Sequence, residues 1–489
     1  MKSQKNIFIV LLAFLLFTGL TSCDNDETND VPKNLEVQNF VWKGLNLYYL
    51  WQPEVTNLHD DRFATQAQLN AFIDDYENPA ALFEDLLFER GSKKEAGVTD
   101  RFSWFIEDYI AQENSFQGIN ETTGLELGLV RIGTSSNIFG YVRYVIPGSD
   151  AADTNIKRGD IFTAVDGVTL TDTNFGSLLF GNNLDLTLNF ADYNNGDPVL
   201  NGTSIALTKT LIGENPIHTK IVHEIGGKKI GYLMYNGFTS NYDSQLNDAF
   251  GEFKAAAIDE LVLDLRYNGG GSVRTATYLA SMITGQFTGE LFAKEQWNTK
   301  WMDYFENNHP EYILNNFVDK MEDNTSINSL NLSSLYILTS SRSASASELI
   351  INGLLPYIDI KTIGETTYGK YVGSVTVYDA PNYGRDEANP NHKFAMQPIV
   401  LEMVNKLGEN NKNGFDPTIP LSEQYGNLGT LGESSEPMLA RAIQLITMGN
   451  KVASSKEIES LVIQKNISGS NEHTLLGMNM FIEKTLPQQ

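Results

Sequence analysis

The chain holds one cysteine, Cys23. A single thiol excludes an internal disulfide, so stability in an oxidising compartment has to come from packed cores. Basic residues are in deficit: 35 Lys and Arg stand against 61 Asp and Glu, a formal charge of −26. Nucleic acid is thereby disfavoured, because phosphate binding needs a basic surface. Electrostatic docking on anionic lipid is disfavoured for the same reason, and the acidity reads as a solubility feature. Histidine is scarce too. The six are His59, His218, His223, His309, His392 and His473, and none sits in a recognisable nucleophile–base motif. The apolar run from Ile7 to Leu20 falls short of the roughly 20 residues that a spanning helix needs.

What is present begins with a targeting signal. Lys2 and Lys5 precede that apolar run, which ends in Leu20-Thr21-Ser22-Cys23. A small residue before a lone cysteine resembles the bacterial lipoprotein cleavage box. The resemblance implies a signal peptide over 1–22 and lipidation of Cys23. The protein is then expected to be exported and lipid-anchored to a bacterial membrane, at an outer-membrane, periplasmic or cell-surface face. Residues 23–37 include the acidic stretch DNDETNDVPK and are expected to form a solvated tether.

At 489 residues the chain is too long for one core, and two to four domains are expected. Residues 38–117 carry helical periodicity (Phe40, Leu45, Tyr48; Phe72, Ile73, Leu82, Phe83, Leu86) and predict a small helical domain. Over 118–212, short strand-like runs such as Leu125–Val130 and Ile138–Val145 alternate with turn residues. From 213 to 450, strand-like and helix-like runs alternate, which argues an α/β layer structure. An aromatic-rich segment, Phe292 to Ser333, interrupts the alternation. Residues 451–489 form a tail with no identifiable chemistry.

Three features of the α/β region carry chemistry when taken together. The apolar run Val262–Leu265 leads through Arg266-Tyr267-Asn268 into Gly269-Gly270-Gly271. A second, Leu335–Leu338, leads into Ser343-Ala344-Ser345-Ala346-Ser347-Glu348. A strand-like segment, Ile360–Ile363, leads through Gly364-Glu365-Thr366-Thr367-Tyr368-Gly369 to Lys370. A hydroxyl, an amine that can serve as its base, and a glycine turn with free amides are the parts of an acyl-transfer site. Each feature has a plainer reading. Ser345 and Glu348 have the spacing of a helix-capping box, three glycines can make a tight turn, and a lone lysine usually faces solvent. Their order along the chain points to catalysis. Lysine works as a base only if its pKa falls from about 10.4 toward 7, which disfavours its charge by roughly 4–5 kcal/mol and requires burial.

Residues 229–373 resemble the carboxyl-terminal processing peptidases, or tail-specific proteases. Asp264-Leu265-Arg266-Tyr267-Asn268-Gly269-Gly270-Gly271 is similar to that family's Asp-Leu-Arg-x-Asn-Pro-Gly-Gly. The serine triplet and the Gly-Glu-x-Thr-x-Gly-Lys ending at Lys370 match its nucleophile and base motifs. The segment Pro147-Gly148-Ser149-Asp150-Ala151-Ala152, with Gly159-Asp160 and Asp166-Gly167 after it, resembles a protease-associated PDZ domain. The resemblance implies an α/β crotonase-like (ClpP/crotonase) core preceded by a PDZ-like, mainly-β domain and the helical domain. It implies a Ser345–Lys370 dyad with an oxyanion hole made by the Gly270 and Ala346 amides. It also places Leu127, Gly128 and Leu129 at the carboxylate-binding loop, where the PDZ-like domain would either bind a chain terminus or only gate. No metal or cofactor is implied. Three departures stand out: Gly269 replaces proline, Pro356 replaces a common aspartate, and Ser374 replaces a glutamine that helps hold the amine. Ser374 is therefore the candidate for orienting Lys370.

The expected function is a serine endopeptidase acting on proteins or peptides, with cleavage near their C-termini in view. Two alternatives stay open: an inactive core that captures peptides through the cleft and PDZ-like domain, and a hydrolase of non-peptide substrates with a pocket lined by 292–333. The oligomeric state is left open.

Overall fold

Leu261-Val262-Leu263 and Leu335–Leu338 are nearly unbroken apolar runs, the pattern of strands covered on both faces. The computed structural model, which describes residues 30–91, 97–448, 466–470, 473 and 477–483, places them at the centre of a six-stranded sheet. The order is Ile217–Ile225, Lys228–Tyr235, Glu260–Asp264, Ser334–Thr339, Asp359–Gly364 and Ile419–Pro420. The first pair is antiparallel and the others are parallel, with Leu263 opposite Ile337 and Ile337 opposite Thr362.

Helices cover both faces. Asp243–Ala256, Val273–Thr284 and Ala346–Leu354 bury Leu246, Phe250, Leu279 and Ile350 against Leu233, Leu263 and Ile337. Helix Pro437–Met448 packs Met438, Leu439 and Ile443 against Val262, Leu338 and Ile363 on the other side. The three motifs emerge at the carboxyl ends of adjacent parallel strands, where ligands bind in open α/β sheets.

A second six-stranded sheet adjoins this end: Gly271–Ser272, Met480–Phe481, Val372–Ser374, Ile399–Val404, Leu291–Trp297 and Leu314–Asn316. The expected featureless tail thus supplies an interior strand. Residues 118–212 form a mainly antiparallel sheet with Leu125–Arg131 near one edge, and Asn466–Gly469 pairs to that strand. Buried charges tie this sheet to the core. Glu423 receives Arg158 at 2.6 Å, the Tyr267 hydroxyl at 2.6 Å and Arg266 at 3.0 Å, while Arg266 also pairs with Glu436 at 2.7 Å.

Several expectations need correction. The region 38–117 carries the expected helices (Glu36–Tyr48, Gln66–Ile73, Pro79–Asp85, Tyr109–Phe116) and packs against the core. Phe40, Leu45, Leu82 and Phe83 share one apolar cluster with the central sheet, and Trp104–Ile106 pairs with Ala395–Gln397. The tether does not extend to residue 37, since Leu35 is already buried and opens the first helix. Cys23 and the signal segment lie outside the described residues. The aromatics of 292–333 are not among the residues lining the cavity at Ser345 and Lys370. Trp297, Trp301 and Phe305 are buried in the main core, and Trp301 stacks on Tyr48 at 5.4 Å.

Leu127, Gly128 and Leu129 are not a loop. They are interior to strand Leu125–Arg131, because both leucines face packed cores and Gly128 makes room for a ring. A Cβ there would lie 2.1 Å from Tyr141.

Candidate functional site

Ser345 sits between strand Ser334–Thr339 and helix Ala346–Leu354, with φ 65° and ψ −116°. A positive φ is costly for a non-glycine residue and persists only when the surroundings hold it. Here they do. Ser343 Oγ donates to Leu265 O at 2.8 Å, Ser347 Oγ to Asn268 O at 3.0 Å, and the Ala344 amide to Asn268 O. The nucleophile loop is thus fastened to the glycine turn. The capping box forms: the Ser345 amide donates to Glu348 Oε2 at 2.9 Å, and the Ser345 side chain is turned to the Glu348 amide. The Ser345 hydroxyl is fully buried and makes no hydrogen bond of good geometry among the described residues.

Glu348 does more than cap. Its buried carboxylate also receives the Thr367 hydroxyl at 2.6 Å, the Gly369 amide at 2.7 Å and the Lys370 amide at 2.8 Å. Burial raises its pKa above the ordinary carboxylate value, and those donors oppose the rise. One side chain therefore joins the serine loop to the lysine loop.

Lys370 is fully buried. Burial pushes its amine down to about 7, against the pull of Asp100 and Glu348 and with the help of Arg101. The amine lies 4.6 Å from the centroid of the Phe102 ring, and Arg101 reaches Gly369 O at 3.3 Å. Ser345, Glu348, Leu349, Lys370, Met403 and Met480 line one small cavity. The two candidate groups thus share one cavity, but no hydrogen bond joins hydroxyl to amine. The amine donates instead to Asn479 Oδ1 at 2.7 Å.

That contact displaces the role expected of Ser374. Its hydroxyl donates to Met480 O at 3.1 Å and accepts from Gln397 Nε2 at 3.0 Å, leaving none of its contacts on Lys370. The glycine turn is also rearranged from expectation. The Gly270 amide donates to Asn268 Oδ1 at 2.8 Å, within its own turn. The Gly271 amide is the one that points outward, to Asn479 O at 2.6 Å. Both glycines have positive φ, 115° and 136°. A Cβ on Gly270 would lie 2.4 Å from Asn479 O, 2.6 Å from Ser345 Cβ and 3.0 Å from the Ala346 amide. Ala346, the other expected donor, therefore does face this point.

Placed histidines are engaged elsewhere. His392 bonds Asp379 at 2.9 Å, His223 bonds Gly432 O at 2.9 Å, and His473 bonds Ser468 at 3.0 Å. Among the described residues, no group of three His, Cys, Asp or Glu is arranged to hold a metal. Three contributors escaped the sequence reading: Phe102, the Asp100-Arg101 pair beside it, and Asn479. The adjacent opposite charges within Asp100-Arg101-Phe102-Ser103-Trp104 were the one available signal; Asn479 offered none.

Residues 229–418 match the family model described as Peptidase family S41, and residues 36–104 match Peptidase S41 N-terminal domain. Over 314 residues the chain is 24% identical to a carboxyl-terminal-processing protease of Picosynechococcus, covering 63% of this chain and 67% of that one. It is 24% identical over 304 residues to a chloroplastic C-terminal processing peptidase of Tetradesmus obliquus, covering 60% of each. Among solved structures it resembles an S41 protease from Bacteroides fragilis with a TM-score of 0.64 at 23% identity, covering 84% of this chain and 97% of that one. That last likeness establishes the shared fold. With both family models matched in order and the fold in common, the chain belongs to peptidase family S41 and is a serine peptidase of that family.

Proposed function

We propose that this chain is a serine endopeptidase in which Ser345 is the nucleophile and Lys370 its general base. The observation that carries the reading is a fully buried amine, lowered to about 7, opening on the same cavity as a serine held at positive φ whose hydroxyl makes no hydrogen bond of good geometry among the described residues. In the reaction, Ser345 Oγ attacks the scissile carbonyl carbon while its proton passes to neutral Lys370 Nζ. The oxyanion is held by the Ala346 amide and, in place of Gly270, the Gly271 amide. Each such donor contributes about 3 kcal/mol to transition-state stabilisation. Protonated Lys370 then gives its proton to the leaving amine. A water, deprotonated by the same lysine, releases the acyl group. Unfolded proteins are the expected substrate class, with cleavage near C-termini suggested by the names of the relatives. The core is read as crotonase-like and the sheet of 118–212 as PDZ-like, with strand Leu125–Arg131 as its peptide-accepting edge. The test is hydrolysis of an unfolded protein by the full chain. Activity that persists in both Ser345→Ala and Lys370→Ala removes the dyad.

A non-catalytic peptide-binding core is the second reading, favoured by the missing hydroxyl–amine hydrogen bond. Covalent labelling of Ser345 by a fluorophosphonate separates the two. Lipidation of Cys23 and export to a bacterial membrane remain part of the proposal, supported by Leu20-Thr21-Ser22-Cys23. Loss of detergent-phase partitioning in Cys23→Ser is the expected result. Unchanged partitioning contradicts the anchor.

A further inference from the structure

Ser345 and Lys370 are both fully buried, so no protein substrate reaches them unless something moves. What lies against them is the chain's own tail. We propose that residues 466–470 and 477–483 act as a cis-acting strap that occupies the substrate path and holds the base apart from the nucleophile until a substrate chain displaces it. The inference rests on the dyad reading above and names the regulation of that site.

The strap covers both places where an extended substrate would bind. Asn466–Gly469 adds as an antiparallel strand beside Leu125–Arg131, with Gly469 opposite Gly128, and the Leu127 amide donates to Ser470 Oγ at 2.7 Å. This is the strand-addition mode by which peptides dock on sheet edges. Farther on, Met480–Phe481 lies between Gly271–Ser272 and Val372–Ser374. There Asn479 takes both functional groups. Its carbonyl accepts the Gly271 amide, an oxyanion donor in the proposed mechanism, and its side chain accepts the Lys370 amine. No hydrogen bond joins the Ser345 hydroxyl to Lys370 or Asn479. Glu483 anchors the end through Ser272 at 2.6 Å, Ser240 at 2.7 Å and Arg274 at 3.2 Å.

Gly269 supplies an independent observation. Its φ is not in the left-handed region, so backbone conformation does not demand glycine. Space does: a Cβ there would lie 2.8 Å from Gly477 O and 3.4 Å from Met478 Cα. The missing side chain leaves a track for the tail. The occupant also reports what the cleft accepts, namely an extended segment with a polar amide followed by large apolar residues. Met480, Phe481 and Ile482 are all buried.

The test uses a fluorescein-labelled peptide of residues 466–483 and fluorophosphonate labelling of Ser345. In a Ser345→Ala background, where nothing is cleaved, the intact chain is expected not to bind the peptide. Chains lacking 449–489, or full-length Asn479→Ala/Glu483→Ala should folding need the tail, are expected to bind it. With Ser345 present, the double variant is expected to label and turn over substrate about tenfold faster than the parent, because the competent fraction rises, and free peptide is expected to reverse the gain. Peptide binding by released chains without labelling supports the strap while defeating the peptidase reading. Slower labelling in the double variant, or equal peptide binding with and without the tail anchors, overturns the strap and makes the tail a permanent strand of the site.

Discussion

Asn479 Oδ1 accepts a 2.7 Å hydrogen bond from Lys370 Nζ, across 109 positions of sequence. The amide carries no charge, so it can hold a neutral amine without favouring protonation as a carboxylate would. Replacing it by a carboxylate, Asn479→Asp, puts an opposite charge beside the amine, and such a neighbour favours the charged form by about 1–3 pH units. The expected outcome is slower Ser345 labelling at pH 7 and a pH profile whose midpoint moves upward by about that amount. A profile identical to the parent's would mean that the tail does not rest on the amine in solution.

Burial of Lys370 carries a cost in stability with a defined sign. The folded chain holds the amine at about 7, whereas the unfolded chain returns it to about 10.4. Between those values the unfolded state binds more protons, so stability climbs with pH across the window and is lowest at and below its foot. Lys370→Met removes this dependence. The variant is expected to gain stability over the parent at both pH 6 and pH 9, with the gain larger at pH 6 by about 2–3 kcal/mol. Urea denaturation at the two pH values reads the difference. A gain independent of pH would place the amine in water.

Glu348 accepts from Ser345, Thr367, Gly369 and Lys370 at once. Glu348→Gln keeps the shape but turns one acceptor into a donor facing donors. A loss of about 2–4 kcal/mol is expected, the scale of leaving buried amides unsatisfied, together with a fall in Ser345 labelling as the two loops lose register. Thr367→Val removes one donor to Glu348 and the acceptor of the Phe415 amide, and is expected to cost about 1–3 kcal/mol. Equal stabilities for parent and Glu348→Gln, measured by denaturant titration, would contradict the joining role.

The parallel sheet was legible because Leu261–Leu263 and Leu335–Leu338 are apolar on both faces, a pattern local to each strand. Ser345 was legible because it follows such a strand amid small residues, and Lys370 because it ends a glycine-bounded motif after the more polar strand Asp359–Gly364. What lay hidden depends on contacts between distant segments. Phe40 and Phe83 read equally well as the core of a separate domain or as part of a shared one, and only packing against the sheet decides. Phe102 and Asn479 reach Lys370 from regions bearing no motif. Ser374 stood at the expected interval from Lys370, but strand Val372–Ser374 turns its hydroxyl toward Met480 and Gln397. The glycine run announced a turn, while which amide faces the cleft followed from the Asn268 side chain claiming Gly270.

The pH dependence of Ser345 labelling by a fluorophosphonate, in the parent and in Lys370→Met, tests most directly whether a neutral Lys370 activates this hydroxyl. The rate in the parent is expected to rise through a single midpoint near 7 and level off above it, since the base works only when deprotonated. In Lys370→Met it is expected to fall by about a hundredfold or more and lose that midpoint. A parent rate that does not change between pH 5 and 9, or a variant that labels as fast as the parent, would contradict the account.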